Sequence, residues 1–177
     1  MTRKYLFLLG SSRRDGNTEV LARRAAEQLD AEQRWVFLDD VPLPPFRDIR
    51  HTVGGWPAPE GNEKLLYDAT VEATDLVIAS PTYWYTVSAA TKLYLDYWSG
   101  WLRVPGFTDA MAGKRMWAVT VLGEEPEQAE PLLGMLKRSA AYMRMEWGGE
   151  LIGNGSRPGD VLRDTAALTR AKEFFPG

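Results

Sequence analysis

Five short apolar runs, each followed by a segment whose apolar residues recur at helical spacing, restrict this chain to one class of fold. The runs lie at 5–9, 35–38, 75–80, 116–122 and 149–153, and the helical patterns at 21–29, 61–74, 88–101, 132–143 and 160–174. Continuous apolar runs such as 75–80 are typical of parallel strands that are covered on both faces. The alternation predicts a single three-layer α/β domain over 1–177, in which helices cover both faces of a five-stranded parallel sheet.

The strand order decides where a ligand would bind. Two orders are common for five parallel strands, and the order 2-1-3-4-5 suits a chain with one glycine-containing polar turn after its first strand. Ligands then bind beyond the carboxyl ends of strands 1 and 3, where the winding reverses. The segments at those ends, 10–18 and 81–85, are the two most unusual stretches of the sequence. We therefore expect them to lie side by side.

The segment 10–18 has the features of an anion site. A helix that starts there presents unpaired backbone N–H groups and the positive end of its dipole. Gly10 and Gly16 let the backbone approach a ligand closely, and Arg13 or Arg14 can offset the charge of a phosphate. The same residue types also cap an ordinary helix after a polar loop, so the segment alone leaves both interpretations open.

Known phosphate loops narrow the choice of ligand. Asn17 and Thr18 follow Gly16 where a Walker loop needs Lys and then Ser or Thr. Ser12 stands where the dinucleotide fingerprint has its second glycine. A turn that is rich in hydroxyl groups and ends in Gly-Asn-Thr suits a terminal phosphomonoester better than a bridging pyrophosphate.

Three aromatic residues, Tyr83, Trp84 and Tyr85, stand directly behind the third apolar run. Such residues can pack in the core or against a second subunit, and they can also form the wall of a site for a flat heterocycle. Their predicted place at the switch point favours the heterocycle.

Composition excludes several classes of function. The net charge of −3 gives no indication of a nucleic-acid or membrane partner, and the absence of cysteine excludes disulfides, thiol catalysis and cysteine-ligated metals. No run is long enough to span a bilayer, and we expect a cytoplasmic protein. His51 is the only histidine, and we interpret it as a surface-loop residue rather than part of a catalytic triad or metal site.

The segment 41–61 is the least regular part of the chain, because five prolines and a Gly-Gly pair interrupt it. Phe46 and Trp56 favour an ordered loop that packs on another surface as a lid or a subunit contact, and a passive surface loop is the alternative.

The helix predicted at 88–101 carries more aromatic surface than one helical stripe would bury against its own sheet: Tyr94, Tyr97, Trp98 and Trp101. With the loop 41–61, this surface predicts a homodimer or homotetramer. The alternative is a monomer that packs these rings against its own loop. Lys92 and Asp96, four residues apart on the same helix, are interpreted as an ion pair.

Two motifs give the chain a resemblance to a known family, the NAD(P)H-dependent FMN and quinone reductases with the flavodoxin fold. The family's FMN-phosphate loop is similar to Gly10-Ser11-Ser12-Arg13 with Gly16-Asn17-Thr18. Its isoalloxazine loop and following helix are similar to Ser80-Pro81-Thr82-Tyr83-Trp84-Tyr85 with Val87-Ser88-Ala89. Iron–sulfur members carry clustered cysteines after strand 2, and since 41–61 has none, the chain resembles the cluster-free branch.

The resemblance implies a flavodoxin-like fold, FMN as the cofactor and NADPH or NADH as the electron donor. It places the phosphate at Ser11, Ser12, Arg13, Gly16, Asn17 and Thr18, the flavin ring at Pro81, Thr82, Tyr83, Trp84 and Tyr85, and a third, weaker loop at Leu122 and Gly123. No side chain is expected to be catalytic, because the flavin carries the chemistry to a flavin, quinone, nitro or azo acceptor. A flavodoxin-like electron carrier and a flavin-free binding module are the alternatives.

Overall fold

The computed structural model describes residues 2–52 and 54–175. The strands are β1 Lys4–Leu9, β2 Glu32–Phe37, β3 Asp75–Ala79, β4 Arg115–Leu122 and β5 Glu146–Asn154. The α-helices are α1 Asn17–Ala26, α2 Gly61–Glu72, α3 Ala89–Trp101, α4 Phe107–Met111, α5 Glu130–Tyr142 and α6 Thr165–Ala171. Single turns of 3₁₀-helix lie at Leu38–Asp40, Pro126–Ala129 and Asp160–Arg163.

The strands pair in the order β2-β1-β3-β4-β5, and all four pairings are parallel, which confirms the predicted topology. Side chains alternate between the two faces of each strand. On β1, Leu6 and Leu8 pack with helices α2 to α5, whereas Tyr5, Phe7 and Leu9 pack with α1 and α6. The sheet is therefore the middle of three layers. None of the helices within the described residues is both long and apolar enough to cross a membrane.

Two strands begin three residues before their apolar runs. β2 begins at Glu32 rather than at 35, because it is an edge strand whose first residues alternate between exposed and half-buried. β5 begins at Glu146 rather than at 149, and glycines and charged residues dilute its apolar pattern. Edge strands need less apolar sequence than central strands, so the pattern underestimates their length.

Two helices also differ from the prediction. The short helix α4 falls between the helical pattern 88–101 and the apolar run 116–122, where no helix was predicted. Five residues are too few to show a helical period, even though Phe107 and Met111 are buried. The pattern 160–174 divides at Asp164, whose carboxylate accepts the N–H of Ala167 at 2.9 Å and starts α6 there.

The aromatic residues of α3 do not need a partner chain. Tyr94, Trp98 and Trp101 are buried within the chain itself. Phe46 contacts both Trp56 and Tyr97, at ring centroid distances of 6.1 and 5.8 Å. These rings therefore give no support to an oligomer, because the chain's own core and long loop cover them.

The loop 41–61 is thus packed on α3 rather than passive. The Tyr97 hydroxyl donates to the carbonyl of Pro44 at 2.9 Å, and Gly100 leaves room for the Trp56 ring, which would lie 3.3 Å from a Cβ at that position. None of the described loop residues lines the cavity at the carboxyl end of the sheet. His51 is exposed in this loop, as predicted.

A buried carboxylate joins three strands at the amino end of the sheet. Asp75 on β3 accepts hydrogen bonds from Arg3 Nε at 3.1 Å, from Trp117 Nε1 on β4 at 2.9 Å and from Thr74 Oγ1 at 2.7 Å. Burial raises the pKa of Asp75, but these hydrogen bonds outweigh it and hold the pKa below its ordinary value. The ionised carboxylate is therefore part of the folded state.

Candidate functional site

The carboxyl ends of β1, β3 and β4 meet around a cavity of about 230 Å³. Backbone hydrogen bonds continue past the strands, from Gly10 N–H to Ala79 O at 2.9 Å and from Thr82 N–H to Val121 O at 3.3 Å. The three predicted loops and a segment after β5 line the cavity: Ser11, Arg13, Gly16, Asn17, Thr18, Pro81, Thr82, Tyr83, Val121, Leu122, Gly123, Gly155, Ser156 and Pro158.

Glycine is required where the first of these loops leaves the sheet. A Cβ at Gly10 would lie 1.9 Å from Thr91 Oγ1 and 2.7 Å from Ser88 Oγ, both at the start of α3. Ser88 caps that helix by accepting the N–H of Thr91. The close approach packs the end of β1 directly against the start of α3.

The first turn of α1 is available to an anion. Gly16 is the N-cap residue, and no side chain of the described residues caps the helix. The turn is instead held from its inner side by Glu19, which is only 4% exposed and accepts the N–H of Asp15 and the guanidinium of Arg23, both at 2.8 Å. Because this carboxylate binds the turn and leaves the helix uncapped, N–H groups of the first turn stay free for a ligand.

The two neighbouring arginines have different roles. Arg14 forms an ion pair with Asp40 and stacks over the ring of Phe37, with its guanidinium carbon 3.5 Å from the ring centroid. Arg13 lines the cavity and forms no ion pair with any residue that the structure describes. Of the two candidates from sequence, Arg13 is therefore the one placed to offset a phosphate charge.

The aromatic loop is a tight two-residue turn. The N–H of Tyr83 donates to Thr86 O at 2.9 Å, and the N–H of Thr86 donates back to Tyr83 O at 3.1 Å. Trp84 and Tyr85 between them have positive φ angles of 49° and 66°. Turns of this kind favour Asn and Gly, and bulky side chains with such angles store backbone strain that is typical of functional sites.

Three predicted site residues do not line the cavity. Ser12 is exposed on the outer side of its turn, and Trp84 and Tyr85 form the tip of the hairpin, where Trp84 is 92% exposed. Only the third aromatic residue, Tyr83, contributes to the lining. The tip is thus placed at the rim of the cavity rather than in its wall.

Sequence reasoning missed the segment after β5. Gly155, Ser156 and Pro158 line the cavity beside Leu122 and Gly123. The available signal was a run of Gly, Asn, Ser and Pro at the carboxyl end of a predicted strand, the same rule that identified 10–18 and 81–85.

The residues present fit FMN. The phosphate end offers an uncapped helix start, the Ser11 hydroxyl and the charge of Arg13, and a Cβ at Gly16 would crowd Ser11 Oγ at 3.3 Å. The other end offers the backbone and ring of Tyr83 together with Pro81 and Thr82. Positive charge at one end and flat apolar surface at the other match a phosphorylated ligand with a planar ring.

Comparison with known sequences decides the family. A sequence model of the NADPH-dependent FMN reductase family matches residues 3–145. The chain is also 34% identical over 176 residues to a Bacillus subtilis protein whose assigned name is NAD(P)H-dependent FMN-containing oxidoreductase YwqN, covering 97% of this chain and 96% of that one. The chain belongs to the NADPH-dependent FMN reductase family.

Solved structures show the same fold as this FMN reductase. The Trp repressor binding protein from Bacillus subtilis is 30% identical, with a TM-score of 0.78 over 97% of both chains. An azoreductase from Bacillus anthracis has a TM-score of 0.66 over 97% of both chains, and at 18% identity it supports the fold alone. The fold is flavodoxin-like, and the chain is an NAD(P)H-dependent oxidoreductase that uses FMN.

Proposed function

We propose that this FMN reductase binds one FMN per chain in the cavity and transfers reducing equivalents from NADPH or NADH to a small acceptor, namely a flavin, quinone, nitro or azo compound. The observation that carries the proposal is that one cavity joins the uncapped start of α1, beside Arg13, to the aromatic hairpin. Bound FMN supplies the hydride and electron chemistry, and the chain supplies binding and orientation.

Each end of the cavity has a distinct role in the proposal. Ser11, Arg13 and the backbone of Gly16 and Thr18 bind the phosphate, because they surround the helix start with donors and with the guanidinium of Arg13, which pairs with no carboxylate of the described residues. FAD would fit this end less well, since a terminal phosphate suits it better than a bridged one.

The end of the cavity proposed for the flavin ring is lined by the loops after β3 and β4. Pro81, Thr82 and Tyr83 flank the ring on one side and Leu122 and Gly123 on another. Thr82 is fixed by a hydroxyl contact of 2.8 Å with Thr120 on β4, which sets the distance between these two loops. Trp84 and Tyr85, exposed at the rim, are placed to contact the acceptor or the pyridine nucleotide.

The test compares FMN with riboflavin, which lacks the phosphate. Arg13→Ala should weaken FMN about tenfold or more, the usual loss for a hydrogen bond to a charged group, and leave riboflavin affinity unchanged. Arg14→Ala is the matched control, because Asp40 and Phe37 already occupy its side chain. Quenching of flavin fluorescence measures both affinities. Equal losses for both ligands in Arg13→Ala would show that the turn does not bind phosphate.

A flavodoxin-like electron carrier would bind FMN in the same way, and reduction by NAD(P)H separates the two functions. We also propose that the reductase works in the cytoplasm, where NADPH and NADH are supplied, and as a homodimer or homotetramer. With the α3 rings buried, the oligomer is supported by other exposed apolar surface, above all the groove between α3 and α5 beside Tyr142.

A further inference from the structure

The cavity has a fourth wall, the segment 155–158, which the resemblance to FMN reductases does not account for. It follows β5 and lies beyond residues 3–145, where the family model matches. Gly155, Ser156 and Pro158 nevertheless line the cavity. The feature that holds this wall in place is the side chain of Asn17, at the start of α1.

Asn17 binds the segment after β5 with both ends of its amide. Its Nδ2 donates to the carbonyl of Arg157 at 2.9 Å, and its Oδ1 accepts the N–H groups of Gly159 at 2.9 Å and Val161 at 3.4 Å. These contacts join positions about 140 residues apart in the sequence. An amide whose carbonyl oxygen and one donor are used in this way is oriented by the protein, not by a phosphate.

The packing around Asn17 is close. A Cβ at Gly155 would lie 2.8 Å from Asn17 Nδ2 and 3.0 Å from the backbone nitrogen of Val161, so the wall rests directly on the side chain. On the side of the wall away from Asn17, the Gly155 N–H donates to Leu122 O at 2.9 Å. The wall is thus fixed between the start of α1 and the end of β4.

Two further contacts complete the wall. The Asp160 carboxylate accepts the N–H of Arg157 at 2.7 Å and closes the turn from outside the cavity. Ser156 covers Gly123, where a Cβ would lie 2.4 Å from Ser156 Oγ. The wall therefore runs from the start of α1 to the loop of Gly123.

We propose that Asn17 is a positioning residue that sets the fourth wall against the flavin, and that it does not bind the phosphate. The inference rests on the proposed binding of FMN in this cavity. A wall fixed in advance adds affinity because the ligand does not have to order it. We place the wall beside the part of FMN between the phosphate and the ring, which riboflavin shares. Loss of Asn17 should therefore weaken the binding of both ligands alike.

The experiment measures FMN and riboflavin affinities of Asn17→Ala and Asp160→Ala beside the wild type and Arg13→Ala. Both variants should lose about tenfold for each ligand, on the scale of one or two hydrogen bonds. Asp160 does not line the cavity, so Asp160→Ala tests the wall even if Asn17→Ala does not fold. Asp160→Asn, which keeps an acceptor oxygen, should retain most of the affinity.

A second measurement tests the order of the wall in protein without bound flavin. Hydrogen exchange at the N–H groups of Gly159 and Val161 should become faster in Asn17→Ala, because both lose their acceptor. Faster exchange with unchanged affinities would overturn the proposal and leave Asn17 a purely structural role. A loss for FMN alone would overturn it in favour of a phosphate ligand. Wild-type protein that binds neither flavin would overturn the proposed function and the wall's role together.

Discussion

Trp84 and Tyr85 combine large aromatic side chains with positive φ angles, which most residues of this size avoid. The two positions of such a turn favour Asn followed by Gly. Nothing in the burial of Trp84 compensates for the strain, because its side chain is almost wholly exposed. The simplest explanation is that the side chains at the hairpin tip serve binding at the rim of the cavity.

A first prediction follows for stability. The double variant Trp84→Asn/Tyr85→Gly should raise the free energy of unfolding by about 1 kcal/mol, because it removes backbone strain, while weakening turnover of the acceptor. Urea unfolding followed by far-UV circular dichroism measures the first effect, and steady-state kinetics the second. Lower stability in the variant would show that the aromatic side chains hold the turn instead of straining it.

For individual residues, the sequence predicted which residue types surround the cavity better than it predicted what each side chain contacts. The donors of 10–18 and the aromatic residues of 81–85 were predicted because turn chemistry is local. The separate roles of Arg13 and Arg14 were not, since they depend on where Asp40 and Phe37 lie. The contacts of the Asn17 amide with Arg157, Gly159 and Val161 were not predicted, because these partners lie about 140 residues away in the sequence.

At the level of the secondary-structure elements, the two ends of the sheet carry different groups. The carboxyl end carries the cavity, and the amino end carries Asp75 with its partners Arg3, Trp117 and Thr74. The central strands were predicted from their apolar runs. The predicted edge strands, in contrast, were shorter than the observed β2 and β5, and α4 was not predicted. Burial on both faces leaves a strong pattern, and half-exposed strands or single helical turns do not.

The second prediction concerns acid stability. Because the folded pKa of Asp75 lies below that of the unfolded chain, its stabilisation is complete above about pH 4 and is lost as the pH falls through the folded pKa. Asp75→Asn should cost about 2–3 kcal/mol at pH 7, because it leaves the Arg3 charge without its carboxylate. Urea midpoints at pH 7 and pH 3 measure both effects. An unchanged midpoint at pH 7 would contradict this role for Asp75.

For the whole molecule, the feature that bears on assembly is an exposed apolar surface. An apolar groove of about 650 Å³ runs between α3 and α5, and Tyr142 at its side is 72% exposed. Surfaces of this kind generally mark interfaces, and two-fold symmetry would place two such faces together. This surface, rather than the buried rings of α3, now supports the expected oligomer.

The third prediction concerns the mass of the protein in solution, which reports its oligomeric state. Light scattering at micromolar concentration should give at least twice the chain mass of 19.9 kDa, and Tyr142→Arg should shift the protein towards the monomer. Ala substitution at the exposed Leu162, which lies away from this groove, is the control. A wild-type mass near 19.9 kDa would contradict the oligomer.

The most direct test of the account is anaerobic stopped-flow mixing of the FMN-loaded protein with NADPH and, separately, with NADH. We expect at least one nucleotide to bleach the oxidised flavin absorbance of one FMN per chain, and an added quinone or free flavin to restore it. Protein that binds FMN but is bleached only by a chemical reductant such as dithionite would contradict the reductase assignment and identify an electron carrier instead.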